Sequence, residues 1–346
     1  MTSKRAIRLF VGAGTLLALA RHAFAEDRTV LAERLHRAIV INSIDDPHLN
    51  PWHLKLSFQL FDDKGQATEK GEIEEWWASP TAYKTVYASP SYSGTEIQTR
   101  EGLYRSKGMV TAPVLLQLVQ RQVVDPMPSA KEIADSTLEL KRHDFGAAKM
   151  DCLMLMQPIL NLTSAPLGIF PTYCFDLNQD SLRISSDFGT QVTMRNRIGI
   201  FQGRKVVIDQ KTILGPIDAI TAHVESLETI SLSESDLIPS ADMRKVGGDP
   251  IPVGSGVLAG LKISGIPPIY PEEAKRNHIS GSVVLKARIG TDGRIHSLRV
   301  ISTPDADLAV ASLEAVRRWV YKPYLLNGEP VEVDTQITTN FFFSAH

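Results

Sequence analysis

The sequence predicts an α+β protein in two parts. The first is an antiparallel, β-rich domain resembling half a barrel, and the second is a small α-β-β-α-β module. Three observations carry this. Residues 331–343 alternate without a break, which is the period of a half-buried strand. From Trp52 to Ile230 many short alternating runs follow one another, each bounded by Pro, Gly or Ser, as in one antiparallel sheet. Between the two, Gly247 to Gly256 is rich in Gly and Pro and separates the bodies. The expected divisions are a signal peptide at 1–25, the β-rich domain at 26–245, a linker at 246–261 and the C-terminal module at 262–346.

The first segment has the pattern of a secretory signal. Lys4 and Arg5 precede a mostly apolar stretch, Ala6 to Ala20, and Ala23-Phe24-Ala25 fits a cleavage site before Glu26. The apolar stretch is roughly 15 residues, short of the ~20 that span a bilayer. The expectation is therefore a periplasmic protein, with an uncleaved inner-membrane anchor as the rival. The segment holds Lys4, Arg5, Arg8 and Arg21 and no acid. Its removal takes the formal charge from −2 to −6, that is −2 less four cations. No basic balance remains to suggest nucleic acid.

Val30 to Ile39 has helical spacing, with Leu31, Leu35 and Ala38 on one face. From Trp52 the period changes: Leu54, Leu56, Phe58 and Leu60 alternate with polar residues, and Asp62-Asp-Lys-Gly65 is a turn. Strands are expected at 71–77, 83–88, 93–99 and 103–107, and a helix at 113–123. Further strands are expected at 149–156, 172–176, 181–185, 190–200, 204–209 and 223–230. Trp76 and Trp77 are adjacent on a strand and so face opposite sides. Cys152 and Cys174 lie in two strand-like segments and are expected to form a disulfide, as paired cysteines do in an oxidising compartment.

In the last module Pro271 opens a short helix with Glu272 and Glu273 in its first turn. Gly281 to Ile289 and Ile295 to Ser302 are strands joined by Gly290-Thr-Asp292-Gly293. Thr303 is expected to cap a second helix that has Leu308, Ala311, Ala315 and Trp319 on one face, with Trp319 as a core anchor. In the final strand Val333, Thr335, Ile337, Thr339 and Phe341 face one way. Glu332, Asp334, Gln336, Thr338 and Asn340 face the other. A long terminal strand at a sheet edge can pair with an extended peptide.

Catalysis and metals find little support. No G-x-S-x-G, H-E-x-x-H or Gly-rich phosphate loop occurs in a usable place, and no C-x-x-C occurs. His48 and His53 lie near Asp45 and Asp46, but at no standard ligand spacing. No enzyme, cofactor or metal is expected.

Five short patterns in order make the module resemble a TonB C-terminal domain. They are Pro268-x-Tyr270-Pro271-x-x-Ala274, Ile279-x-Gly281-x-Val283, Asp292-Gly293-Arg294, Ala315-x-Arg317-Arg-Trp319-x-Tyr321-x-Pro323, and Asn327-Gly328 before the final strand. The resemblance implies structural roles for Gly281, Asp292, Gly293, Trp319 and Pro323. It also implies a partner site at Tyr270, Pro271 and the outward row Glu332 to Asn340. The implied partner is an envelope protein or an outer-membrane transporter peptide, taken by strand addition and coupled to energy-dependent transport. Family members usually carry an N-terminal membrane helix, a long Pro-rich spacer and Gln residues around the proline before Tyr-Pro. This chain has a globular domain, a short linker, and Pro267 and Ile269 at those positions.

More faintly, Gly71 to Pro80, Tyr83 to Pro90 and Glu101-Gly-Leu-Tyr104 resemble the strand run of LolA-type carriers. That resemblance implies a curved sheet around a helix, and an alternative function as carrier of a lipid or other hydrophobic ligand. A carrier of that kind would have uniformly apolar, unfilled inward positions.

Overall fold

A computed structural model describes residues 28–342, apart from 107, 147, 160–161, 163–168, 178, 188–190 and 248–249. The expected signal segment and Phe343 lie outside the described residues.

Helix α1 (Arg28–Asn42) buries Leu31, Leu35 and Ala38, the face its spacing predicts. It ends where Asn42 turns its amide to chain neighbours: Nδ2 donates to the Ala38 and Asp180 carbonyls, and Oδ1 accepts from the Leu182 N–H. Twelve strands, all antiparallel to their neighbours, then build most of one sheet. They are β1 (Trp52–Phe61), β2 (Ala67–Ser79), β3 (Ala82–Ala88), β4 (Ser93–Thr99), β5 (Gly102–Ser106), β6 (Thr137–Phe145), β7 (Ala148–Met156), β8 (Thr172–Asp176), β9 (Leu182–Asp187), β10 (Gln191–Phe201), β11 (Arg204–Leu214) and β12 (Ile217–Thr229). A thirteenth, β13 (Met243–Val246), pairs with β5. The order is β13-β5-β4-β3-β2-β1-β12-β11-β10-β9-β8-β7-β6, so the sheet is open, with β13 and β6 at its edges.

Two short helices interrupt the strands. α2 (Val114–Val124) packs on β11 and β12 and places Leu116, Val119 and Val123 among Leu54, Leu56, Ile73 and Ile220. α3 (Ala130–Ala134) starts at a capping box in which the Ser129 hydroxyl accepts the Glu132 N–H and the Glu132 carboxylate accepts the Ser129 N–H. Trp77 is core: it stacks on Trp52 with centroids 5.5 Å apart. Trp76 points outward and stacks on His53 at 4.6 Å. Cys152 and Cys174 face each other on β7 and β8 and are joined by a disulfide.

The C-terminal sheet has the order β14-β21-β16-β17. Its strands are β14 (Ile251–Pro252), β16 (Gly281–Ile289), β17 (Ile295–Ser302) and β21 (Val333–Phe341). Around it lie α4 (Ser255–Ala259), β15 (Lys262–Ser264), α5 (Glu272–Arg276), α6 (Ala306–Arg317), β18 (Val320–Tyr321), β19 (Leu325–Leu326) and β20 (Glu329–Pro330). Val283, Leu285, Ala287 and Ile289 are buried against Leu308, Leu313 and Val316 of α6.

Several sequence expectations are corrected here. Residues 246–261 are not a plain linker: β14 pairs parallel to β21, and α4 buries Leu258 in the module's core. Thr303 does not cap α6. Asp305 does, accepting the Asp307 N–H at 2.9 Å and the Leu308 N–H at 3.3 Å, because the helix starts two residues later than the Thr-Pro pair suggests. The buried face of α6 is Leu308, Ala309, Ser312, Leu313 and Val316. Trp319 lies past its end, is half-buried and packs against the edge of the module's core. It donates from Nε1 to the Ile266 carbonyl at 2.9 Å and lies under Lys262 Nζ at 3.4 Å. It therefore pins the chain entering the module.

Candidate functional site

The backbone of β21 sets its polarity. In a strand, the N–H and C=O of one residue point to the same side, and alternate residues point to opposite sides. Ile251 N donates to the Glu332 carbonyl at 3.0 Å and Val253 N to the Asp334 carbonyl at 2.9 Å. Glu332, Asp334, Gln336, Thr338 and Asn340 therefore turn their backbone groups away from β16. The first two positions are already occupied by the chain's own β14. From Gln336 to Asn340, no described strand lies opposite, although α4 packs nearby against β21. The expectation of a free edge is corrected over Glu332 to Asp334, where β14 pairs with it; among the described residues no strand pairs with that edge beyond this.

The side chains divide in the same way. Gln336, Thr338 and Asn340 are exposed. Asp334 is not available to a partner: Arg288 grips it through Nε at 2.9 Å and Nη2 at 3.3 Å, which holds its carboxyl below the usual range. Asn340 Oδ1 accepts from the Ser282 hydroxyl at 2.7 Å. Tyr270 donates its hydroxyl to the Ile279 carbonyl at 2.5 Å and meets the Phe341 ring edge-on at 5.4 Å, so it fastens α5 to β21. Pro271 is the residue before α5.

Other positions singled out in the sequence serve the framework. Gly293 holds φ +73°, with its α-carbon so close to the Tyr321 carbonyl that a β-carbon would lie 2.0 Å from the oxygen. Asp292 Oδ1 accepts from Arg294 N at 3.0 Å and lies 2.9 Å from His296 Nε2. Gly281 has φ +146° beside Pro304. Pro323 lies next to Gly293.

A second feature is a cavity of about 720 Å³ between the large sheet, α2 and the C-terminal module. The module roofs it. Thr111 and Thr291 bond hydroxyl to hydroxyl at 2.7 Å, Arg299 donates to Gln157 at 2.6 Å, and Arg317 donates to Gln191 at 2.9 Å. Ile169 and Phe170 join the module's core from below. The lining is not uniformly apolar. Inward positions include Glu75 on β2, Thr85 on β3, Ser185 on β9, and Gln191 and Thr193 on β10. Behind Gln122 and Ser185, Arg195 is fully buried and pushed down to about 9 by desolvation. Glu75 was not anticipated, although a signal existed: it occupies the inward parity of β2, between Ile73 and Trp77.

Residues 266–343 match the family model described as the Gram-negative bacterial TonB protein C-terminal. The protein TonB of Vibrio cholerae is 26% identical over 104 residues, which is 30% of this chain and 41% of that protein. The chain thus spans about two fifths of that relative. A LolA superfamily protein from Nitrosomonas europaea superposes with a TM-score of 0.43 at 8% identity, over 60% of this chain and 97% of that one. An outer-membrane lipoprotein-sorting protein domain from Vibrio parahaemolyticus gives 0.36 at 9% identity, over 60% and 94%. No helix of the described residues is long and apolar enough to cross a membrane.

Proposed function

We propose that this is an interaction protein of the bacterial envelope, acting on the periplasmic side and not as an enzyme. Its C-terminal module takes an extended segment of an envelope partner, such as an outer-membrane transporter peptide, by adding it as a strand to β21. One observation carries the reading: within the TonB-like segment, the backbone row Gln336, Thr338 and Asn340 points away from β16 with no described strand opposite. Backbone hydrogen bonds would give affinity, and the exposed side chains of these residues would give selectivity. Glu332 and Asp334 would join the site only after β14 leaves. That release costs little, because β14 pairs over two residues and in parallel, the less stable ladder.

The test uses the full chain with a photo-crosslinking residue at position 338, followed in intact cells. The expected result is a crosslink to an outer-membrane transporter or another envelope protein, lost when Gln336→Pro removes an outward N–H. In the same assay Ile251→Pro deletes the donor to the Glu332 carbonyl and should increase capture. Crosslinking that is unchanged by both substitutions in folded protein would end the strand-addition reading.

The cavity favours a second role, holding a ligand under the module. Its polar inward positions speak against a purely hydrophobic ligand such as an acyl chain.

A further inference from the structure

The cavity wall around β2, β3 and α2 holds Glu75, Asp45 and Asp125, none of which forms an ion pair among the described residues; the arginines that also line the cavity are Arg121 on α2 and, on the module side, Arg288, Arg299 and Arg317, which bond Asp334, Gln157 and Gln191. Glu75 is 1% exposed. Thr85 Oγ1 at 3.2 Å and Gln120 Nε2 both donate to its Oε2. Among the described residues no group donates to Oε1, and no Lys, Arg or His forms an ion pair with this carboxylate. Asp45 accepts from Trp77 Nε1 at 2.8 Å, Asp125 interacts with the Ser43 side chain, and among the described residues neither forms an ion pair. Arg121, on the same helix, acts on Asp125 only through space. Trp77, Tyr83 and Tyr87 line the same wall.

Burying an ionised carboxylate without a counter-charge is costly, and the usual remedies are a proton or a partner. Burial pushes Glu75 up to about 7, and the nearby Asp45 raises it further. Burial also raises Asp45 and Asp125. Near neutral pH the wall thus holds a proton that a cation could replace. Carboxylates beside aromatic rings are what an ammonium group needs: charge from one and the negative ring face from the other. The described residues offer no group of three ligands suited to a metal ion. The volume falls within the range of small-molecule sites, ~300–1,000 Å³.

We propose that the cavity binds a small organic cation, whose ammonium group sits against Glu75 between the ring-bearing strands and α2. Glu332 and Arg288 of the module also line the cavity, but Glu75 lies on β2, so its substitution tests this proposal without touching the backbone row Gln336 to Asn340.

The test is isothermal titration calorimetry on the full chain at pH 8, with spermidine as the probe and fully N-acetylated spermidine as the neutral control. Trp fluorescence gives a second readout, since Trp77 lines the site. The isosteric Glu75→Gln removes the charge and keeps the shape. Glu228→Gln, an exposed acid on the outer face, controls for loose attraction of polyamines. The expected result is one saturable site in the native chain, weakened about tenfold or more by Glu75→Gln and unchanged by Glu228→Gln, with no binding of the acetylated probe. The proposal is overturned by the absence of saturable binding at millimolar probe, by equal binding in Glu75→Gln, or by equal losses in both variants.

Discussion

Glu75 should make the protein less stable as the solution becomes more alkaline, and Glu75→Gln should remove its share of that dependence. An ordinary glutamate in the unfolded chain titrates near 4.5, whereas the folded protein holds Glu75 at about 7. Below 4.5 both states carry the proton, and burial of the neutral acid costs little. Between the two values the unfolded chain releases the proton and the folded chain retains it, so rising pH favours unfolding. The difference between 4.5 and about 7, at ~1.4 kcal/mol for each pH unit, amounts to about 3 kcal/mol lost by pH 8. Asp45 and Asp125, also raised, act in the same direction, while the lowered Asp46, Asp151 and Asp334 act oppositely at acid pH. Comparison with Glu75→Gln removes these shared contributions. Urea unfolding at pH 4.5, 6, 7 and 8, followed by fluorescence of the Trp52–Trp77 pair, should show the variant gaining on the native chain by about 3 kcal/mol across the series. A constant difference would show that Glu75 keeps an ordinary value.

Two further outcomes follow from the framework. Replacing both Cys152 and Cys174 by Ala opens a covalent loop with a sequence separation of 22, and calorimetry should show a loss of about 3 kcal/mol; an unchanged melting curve would show that strand pairing alone suffices. Gly293→Ala forces a β-carbon to within 2.0 Å of the Tyr321 carbonyl at φ +73°, so the β16–β17 turn or β18 must move, with a loss of well over 1 kcal/mol by chemical denaturation; a loss below 0.5 kcal/mol would refute the close approach.

The strands that the sequence revealed are those with one dry face. Leu54, Leu56 and Phe58 alternate cleanly because β1 sits mid-sheet with a core on one side only. β6 escaped notice because it is an edge. Lys141, Arg142, His143 and Asp144 crowd its middle, and charge is how an edge strand avoids pairing with another molecule. β10 was legible as a strand, but its inward residues Gln191, Thr193 and Arg195 are polar, so alternation alone could not say which face was inside. The same ambiguity concealed Glu75. A glutamate between Ile73 and Trp77 reads as a solvated residue until the parity of the whole strand is followed.

The Gly/Pro run before the module shows how a linker-like composition can still pair with a sheet. Pro is excluded from a strand only where its missing N–H would have been used. In β14 the donors to β21 are Ile251 and Val253, and the residue between them is Pro252, whose nitrogen faces away from β21. A sequence that reads as linker is therefore compatible with one side of a ladder. The same proline cannot donate to a further strand, so β14 blunts the edge that it creates. Among the described residues, β14 thus covers Glu332 to Asp334, and no strand pairs with the outward backbone from Gln336 to Asn340, where the Gln336 carbonyl accepts from Thr335 Oγ1 at 3.5 Å. A partner strand would have to begin there, or compete with β14 for the rest.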